Sequence, residues 1–568
     1  MHNSRGDYDG GPSIPMFVID GDGNATQAGV SDQDSNYWNK VRNHMNKSIW
    51  GLTIAAALIL IPSSVTTQEP VYWDIVDRIR SEGFDNSEVM DNAGYLADVI
   101  GPRFTGSPNM RQAQEWALAR MREIGLSEVE REPWGDETVG WEVQRVSVHM
   151  TAPDYQMVIA YPFALTPGTQ GPVVANAIIA TIQSPEDLDG YRGRLDGAIV
   201  LATPPMPTSP RFVQDAFRHD EESLGVFETE GIDLLINRHA RGQPEQSTFR
   251  RQGISDAEVE AFYISEGVAV VLTASIGSDG TVYATGHPTT RDDRTRSGVE
   301  NALPTLAVAS EHYNRIHRIL ERGIPVTMDV EVRVGFDESD QRGYNVIAEI
   351  PGTDLADEVV MIGAHMDSWH TGTGATDNAS GVSVVLEAMR ILKAISVQPR
   401  RTIRVALWSQ EEIGHSGSRG YVRNHFGGED GGLTTPDYNG FAAYFNMDNG
   451  TGQFRGVHIQ GQTQSTPILE AWMRPFRDLG METISQFSNT GTDHLSFLRV
   501  GLPGFQFIQD PVEYGSRTHH TNLDVYERVQ ASDMMKNAVI VASFVYHAAN
   551  RDELLPRKPL PKPPPRRR

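Results

Sequence analysis

The sequence predicts an α/β protein with a mixed, mostly parallel central sheet, helices on both faces of that sheet, and an inserted, mostly β domain. Beyond residue 325, apolar runs typical of buried strands alternate with helical patterns, as expected of parallel strands joined by crossover helices. Between residues 141 and 324, short β-type runs are separated by Gly, Pro and Asp, which indicates a β-rich module. Polar residues of metal-binding type follow several of the later strands.

Composition limits the classes of function. The chain has 568 residues, of which 22% are charged, so it has room for two or three globular domains. Its formal net charge is -25. Because proteins that bind nucleic acids concentrate Lys and Arg on one face, this charge argues against nucleic acid as a partner.

The N-terminal residues resemble an export signal rather than a folded domain. Residues 1–44 are rich in Gly, Asp, Asn and Ser, which predicts a disordered leader or a misassigned start, with Met45 as the initiator. Residues 45–67 have a positive start, an apolar run from Ile49 to Ile61, and then Pro62 and small residues, which is typical of a signal peptide. The alternative is a buried core helix. We expect a secreted or periplasmic protein with no stable membrane anchor after cleavage; the absence of cysteine is compatible with export for a domain of this size.

The mature chain is predicted to begin with a helical part of the catalytic domain, residues 68–140, followed by the insert, residues 141–324. The apolar spacing predicts two helices in the first part, Asp85 to Ile100 and Met110 to Ile124. In the insert it predicts strands at Val173 to Ile182, Ala198 to Thr203, Val268 to Thr273 and Thr305 to Val308. The charged stretch from Arg211 to Tyr263 reads as a helix-compatible excursion.

Residues 325–550 are predicted to form the main catalytic domain. Its strands are expected at Val326 to Val334, Tyr344 to Ile350, Glu358 to Ala364, Thr402 to Trp408, Phe441 to Asn446 and Gly504 to Ile508. Its helices are expected at Ser380 to Ile395, Ser418 to His425, Pro467 to Leu479, Thr492 to Arg499 and Ala531 to Ala549. The Pro/Arg-rich end, residues 551–568, reads as a disordered tail, with a tether to an anionic surface as the alternative.

Polar side chains follow three of these strands. His365 directly follows one strand, Glu411 and Glu412 follow the next, and Asp448 follows a third. Ligands of open α/β sheets bind at the carboxyl ends of the strands. We therefore expect these residues to meet in one crevice.

Residue chemistry suggests a metal site there. The neutral imidazole of His365 suits zinc, and Asp367 lies two residues on, where it could accept the other ring proton. Asp377 lies in a Gly-rich loop before a helix. The alternative for His365 and Asp367 is a hydrogen-bonded surface pair. The alternative for Asp377 is a residue near a helix N-terminus.

The pair Glu411 and Glu412 is less usual. Two adjacent carboxylates after a buried strand point in different directions, so one could bind metal while the other acts as a general base. A solvated turn is the alternative. Asp448 could equally form a turn with Asn449 and Gly450, and of His519 and His520 one at most need be a ligand.

The order and spacing of these residues resemble the co-catalytic zinc exopeptidases, which include bacterial leucyl aminopeptidases and glutamate carboxypeptidases. The resemblance is nearest to the plasma glutamate carboxypeptidase branch, also called carboxypeptidase Q. It rests on motifs at His365 to Trp369, Trp408 to Glu412, Gly491 to Asp493 and His519–His520. Gly101 to Ser107 resembles a loop of the same family, and Tyr191 to Val200 a strand of its inserted protease-associated domain.

The resemblance implies two zinc ions bridged by Asp377, one completed by His365 and Asp448 and the other by Glu412 and His520. It also implies Glu411 as the base, Asp367 and Asp524 as residues that orient the ligands, a cis peptide bond between Asp377 and Asn378, and a homodimer.

The expected function is that of a zinc-dependent exopeptidase acting on short peptides or dipeptides, with both the aminopeptidase and the carboxypeptidase direction open. Tyr514 and His519 are candidate oxyanion donors, and Arg517 a candidate partner of a substrate carboxylate; packing or a salt bridge is the alternative for each. Two other classes of function remain, a glutaminyl-cyclase-like acyltransferase with one zinc ion and a binding protein without catalysis on the same fold.

Overall fold

A computed structural model describes residues 17–19, 25–27, 69–136, 139–208, 210, 212, 214–229, 249–290, 294–428, 432–488 and 491–560. The chain divides into two compact units, residues 1–67 and 68–568. In the first unit, strand β1 (Phe17–Ile19) pairs antiparallel with β2 (Ala25–Gln27). The remainder of the predicted leader, the signal segment 45–67 and residues 561–568 lie outside the described residues.

The second unit begins with helices Trp73–Asp85, Val89–Gly94 and Pro108–Ile124, a π-helical turn Tyr95–Ile100, and strand β3 (Ser127–Asp136). The helix Pro108–Ile124 has clear end signals. The Ser107 side chain accepts the Met110 N–H, proline occupies the first turn, and Gly125 ends the helix with φ 85°, a left-handed conformation that glycine adopts without penalty.

The insert is an eight-stranded mixed sheet with helices. Its strands are β4 (Gly140–Ala152), β5 (Gln156–Met157), β6 (Ala160–Pro162), β7 (Val173–Ile179), β8 (Ile199–Leu201), β9 (Val270–Ala274), β10 (Thr305–Val308) and β11 (Thr327–Asp337). They lie in the order β5-β4-β11-β7-β8-β9-β10-β6, with β7 to β10 parallel. The described helices of this region are Glu221–Thr229, Asp256–Ser265, Arg296–Glu300 and Ser310–Glu321, with a 3₁₀ turn at Pro185–Gly190.

The end of the insert differs from the expected boundary at residue 324. Strand β11 pairs with β4 along its whole length and with β7, so the insert sheet extends to Asp337. The alternating pattern of β11 predicts a strand but carries no information about its partners. The sequence therefore predicted the strand but placed it in the catalytic domain, whereas it pairs with strands of the insert.

The sheet of the predicted catalytic domain, the catalytic sheet, also has eight strands, in the order β17-β16-β18-β15-β13-β14-β12-β3. The strands after the insert are β12 (Arg342–Ile350), β13 (Leu355–His365), β14 (Arg401–Trp408), β15 (Phe441–Asn446), β16 (Phe454–His458), β17 (Thr483–Ser485) and β18 (Gly504–Gln509). The helices are Ser380–Ala394, Ser416–His425, Asp437–Gly440, Thr466–Met473, His494–Leu498 and Ala531–Asn550. Short π or 3₁₀ turns occupy Ala375–Ala379, Thr463–Ser465, Arg474–Leu479, Tyr514–Thr518 and Tyr526–Arg528.

The expected fold class is confirmed, because helices cover both faces of this sheet. On β13, Val360 and Ile362 belong to the core shared with helices Ser380–Ala394 and Ala531–Asn550. Met361, between them, packs with residues of helices Ser416–His425 and His494–Leu498 on the other face. Strands β14, β13, β15 and β18 are parallel neighbours, so their carboxyl ends share one edge.

The C-terminal segment differs from the expected tail in its first ten residues. Leu555 is buried, and the Arg557 guanidinium donates hydrogen bonds to the backbone carbonyls of Tyr438 and Asn439. Proline prevents helix and strand but permits an extended chain to dock on a surface.

Among the residues that the structure describes, no helix combines the length and the apolar composition needed to cross a bilayer.

Candidate metal centre

The ends of three parallel strands bring the predicted site residues together. His365 is the last residue of β13 and lies in register with Trp408, the last residue of β14. On the other side Gly363 lies opposite Asn446, the last residue of β15. The segments that carry the Glu411–Glu412 pair and Asp448 therefore start on either side of His365.

Asp377 lies between two groups of side chains. Its Oδ1 is 3.2 Å from His365 Nε2, and the same nitrogen is 3.4 Å from Asp448 Oδ1. Its Oδ2 is 3.3 Å from His520 Nε2, which is 3.0 Å from Glu412 Oε2. One carboxylate thus faces two His-plus-carboxylate sets, one on each oxygen. The Asp377–Asn378 peptide bond is cis, as expected.

The chemistry of these residues fits bound zinc. Within the described part of the chain, His365 Nε2, Asp377 Oδ2 and Glu412 Oε1 are buried and have no hydrogen-bond partner, although buried polar atoms are nearly always paired. Each is an atom that can donate a lone pair to a cation. Imidazole nitrogen and carboxylate oxygen are ordinary zinc ligands.

The pKa shifts reflect a cluster of five carboxylates. Burial raises the pKa of Glu412 to about 7, with the charge of Asp377 adding to the effect and His520 opposing it. Burial alone would lower the pKa of His520, but Glu412 and Asp377 outweigh it and raise the pKa to about 12. Burial also raises the pKa of Glu411 well above its usual range, against the charge of His365 and with Asp448 and Asp493. The cluster therefore favours bound positive charge.

His519 and His520 differ in position. His519 Nε2 is 3.9 Å from Asp377 Oδ2, and its side chain is 44% exposed. It can join a ligand group with Asp377 and His520 by distance. His520 makes the shorter approach to Asp377 and also contacts Glu412, which makes it the better candidate ligand. Tyr514 packs against the His519 ring, with the ring centroids 4.8 Å apart.

Asp367 acts differently from the expectation. His365 Nδ1 is 3.0 Å from the backbone carbonyl oxygen of Asp367, while the Asp367 carboxylate is farther away, with Oδ1 at 3.7 Å. That carboxylate instead accepts the backbone N–H groups of Glu411 and Glu412, at 3.2 and 3.3 Å, and the Thr105 hydroxyl. Asp367 thus fixes the His365 ring through its backbone and the glutamate pair through its side chain.

Asp524 supports the central aspartate. Its Oδ1 accepts the Thr376 N–H at 2.6 Å and its Oδ2 accepts the Asp377 N–H at 3.2 Å. Burial raises the pKa of Asp524 to about 7, with the charge of Asp377 adding to the effect. The loop that carries Asp377 is therefore held by hydrogen bonds to a second carboxylate, that of Asp524.

Arg103 is a buried cation to which the sequence assigned no role. It is completely buried and donates five hydrogen bonds, to the carbonyls of Leu96, Gly101, Met366, Thr373 and Gly374. Burial lowers its pKa to about 10, against the pull of Asp524 and Asp367. The side chain thus joins the N-terminal segment to the loops that follow His365 and precede Asp377. Only the resemblance of Gly101 to Ser107 to a family loop pointed to this region.

Two further residues near Glu411 were not identified from the sequence as site residues. His415 Nε2 is 3.1 Å from Glu411 Oε1. Asp493 is fully buried, and its charge contributes to the raised pKa of Glu411. Arg517, a candidate for a substrate carboxylate, pairs instead with Asp215 at 2.6 Å.

The insert reaches this site at several points. Arg294 donates to the Ile413 carbonyl, next to the glutamate pair. Phe217 pairs with Val512 through two backbone hydrogen bonds. The Tyr283 hydroxyl lies 3.4 Å from His520 Nδ1.

The chain is similar in sequence to known peptidases. Residues 345–545 match the model of peptidase family M28. Carboxypeptidase Q from Mus musculus is 25% identical over 469 residues, which cover 82% of this chain and 87% of the relative. The human carboxypeptidase Q is 25% identical over 468 residues, covering 82% and 86%.

Solved structures share the fold. A peptidase M28 precursor from Shewanella amazonensis superposes with a TM-score of 0.61 at 24% identity, covering 86% of this chain and 98% of its own. A zinc aminopeptidase from Bacillus subtilis gives a TM-score of 0.51 at 17% identity, with coverage of 82% and 95%.

Proposed function

Because residues 345–545 match the model of peptidase family M28, we propose that this protein is a dinuclear zinc exopeptidase that cleaves short peptides or dipeptides. The chain is a metallopeptidase hydrolase. The number of zinc ions, the roles of the residues and the terminus from which the enzyme cleaves are our proposals.

One observation carries the proposal: the Asp377 carboxylate has a different histidine on each oxygen, His365 at 3.2 Å and His520 at 3.3 Å. We assign His365, Asp377 and Asp448 to one zinc ion and Asp377, Glu412 and His520 to the other. Zinc bound at these positions would lower the pKa of a water molecule and polarise the peptide carbonyl.

Glu411 is the general base in this mechanism. It follows the same strand as the ligand Glu412, and its backbone is fixed by the Asp367 carboxylate. Its raised pKa suits a group that takes a proton from water and then gives it to the leaving amine. His365 keeps Nε2 free for zinc because its Nδ1–H donates to the Asp367 carbonyl.

Export belongs to the same proposal. It rests on the signal-like composition of residues 45–67, which would place the enzyme outside the cytoplasm. Its substrates there would be short peptides.

A panel of three dipeptides tests the reaction. The zinc-loaded enzyme is given a free dipeptide, an amino-blocked dipeptide and a carboxyl-amidated dipeptide, and released amino acids are measured. We expect cleavage of the free dipeptide. Cleavage of the amino-blocked peptide alone would rule out an aminopeptidase, and no cleavage of any of the three would contradict the proposed exopeptidase.

The variant Glu411→Gln tests the base. Because general-base catalysis contributes about 10²–10⁴-fold, we expect kcat to fall by that factor while zinc content stays unchanged. Glu470→Gln, at an exposed position on helix Thr466–Met473, is the matched control and should keep full activity. Full activity in Glu411→Gln would refute the mechanism.

A further inference from the structure

The loop that carries His520 is paired with a segment of the insert, Gly280 to Tyr283. The Asn522 side chain accepts the Val282 N–H at 2.6 Å and donates to the Gly280 carbonyl at 3.2 Å. The Asn522 N–H donates to the Val282 carbonyl at 3.1 Å. Tyr283 and Thr521 form an antiparallel bridge. Five residues of the insert and the catalytic domain are thus joined by hydrogen bonds beside the candidate ligand His520.

This pairing places the Tyr283 hydroxyl 3.4 Å from Nδ1 of His520. The other ring nitrogen, Nε2, faces Asp377 and Glu412. In a neutral imidazole whose Nε2 lone pair is directed at a cation, Nδ1 carries the proton and needs an acceptor. The phenol oxygen can supply that acceptor.

The His520 ring has a second neighbour that limits its rotation. The Trp369 indole meets it edge to face, with ring centroids 5.9 Å apart. Trp369 itself is buried, and its Cη2 atom lies 3.6 Å from the position that a Cβ on Gly286 of the insert would occupy. The insert therefore contacts the His520 ring directly through Tyr283 and indirectly through Trp369.

The two proposed metal positions differ in the domain that contacts Nδ1 of their histidine ligand. The His365 ring is oriented by the Asp367 carbonyl, which belongs to the catalytic domain. The Nδ1 atom of the His520 ring faces a side chain of the insert, the Tyr283 hydroxyl. Resting on the dinuclear site proposed above, we infer that Tyr283 is a positioning residue for the zinc ion held by Glu412 and His520, so that the insert forms part of one metal position and not of the other.

Zinc affinity tests this inference without reference to activity. The full chain is stripped of metal and titrated with zinc against a chromophoric chelator, which resolves two dissociation constants for the wild type. Loss of an outer hydrogen bond to a ligand lowers metal affinity by about 10–100-fold. For Tyr283→Phe we expect one constant to weaken by about tenfold and the other to change less than twofold.

Two further variants complete the test. Tyr155→Phe, at an exposed tyrosine of the insert, should match the wild type. His520→Ala should abolish the same constant that Tyr283→Phe weakens. Wild-type constants in Tyr283→Phe, or equal weakening of both, would overturn the inference. If the wild type itself binds fewer than two zinc ions, the proposed dinuclear site fails instead.

Discussion

At the scale of single residues, Asp524 determines where Asp377 can place its carboxylate. Its carboxylate accepts the backbone N–H groups of Thr376 and Asp377, and no other side chain among the described residues accepts both. Because Asp377 faces both proposed metal positions, a shift of its loop changes the geometry of both.

The variant Asp524→Ala should therefore weaken both zinc dissociation constants by about 10–100-fold, in contrast to Tyr283→Phe. The same chelator titration measures this effect, with Asp354→Ala, at an exposed carboxylate, as the control. Weakening of one constant alone would show that Asp524 does not act through Asp377.

The strand ends predicted that His365, the Glu411–Glu412 pair and Asp448 would meet, whereas the roles of Asp377 and His520 as ligands came from the family resemblance. The sequence did not predict how Asp367 acts. The choice between its carbonyl and its carboxylate as partner of His365 depends on the backbone direction after β13 ends, and no residue type signals that direction. The contact of His415 with Glu411 was missed for the same reason, since it depends on a left-handed turn, φ 57° at His415.

At the scale of elements, the sequence located the buried parallel strands well and the edge strands poorly. Strands β13, β14 and β15 are mostly apolar in their central residues, as expected where both faces are covered. Three strands of the catalytic sheet were missed, β3, β16 and β17, of which β3 and β17 are its two edges and β16 lies next to β17. β3 contains charged residues along its length and β17 has three residues, so neither shows a clear period.

The loop around Arg103 depends on a single side chain for several backbone hydrogen bonds. An unsatisfied buried acceptor costs about 1–3 kcal/mol, and Arg103 serves five carbonyls. We expect Arg103→Met to lower the free energy of unfolding, measured by urea titration, by about 3 kcal/mol or more. Arg145→Met, at a half-exposed arginine paired with Glu331, should lower it by less than about 1 kcal/mol. Equal effects of the two variants would contradict this role.

At the scale of the whole molecule, the insert and the catalytic domain share the site. The insert contacts the loops that follow β14 and β18 through Arg294 and Phe217, and it contacts the His520 loop through Asn522. The sequence predicted both domains from their composition and strand patterns. It could not predict these contacts or the extension of the insert to Asp337, because partners distant in sequence leave no periodic signal in either segment.

The central claim is that one carboxylate, Asp377, joins two zinc ions. The most direct test is the zinc content of the purified chain after dialysis against zinc-free buffer, measured by atomic emission for the wild type and for Asp377→Ala. We predict two zinc ions per wild-type chain and fewer than one in the variant, because both positions lose a ligand. One zinc ion in the wild type, as in a glutaminyl-cyclase-like enzyme, or an unchanged zinc content in Asp377→Ala would contradict the claim.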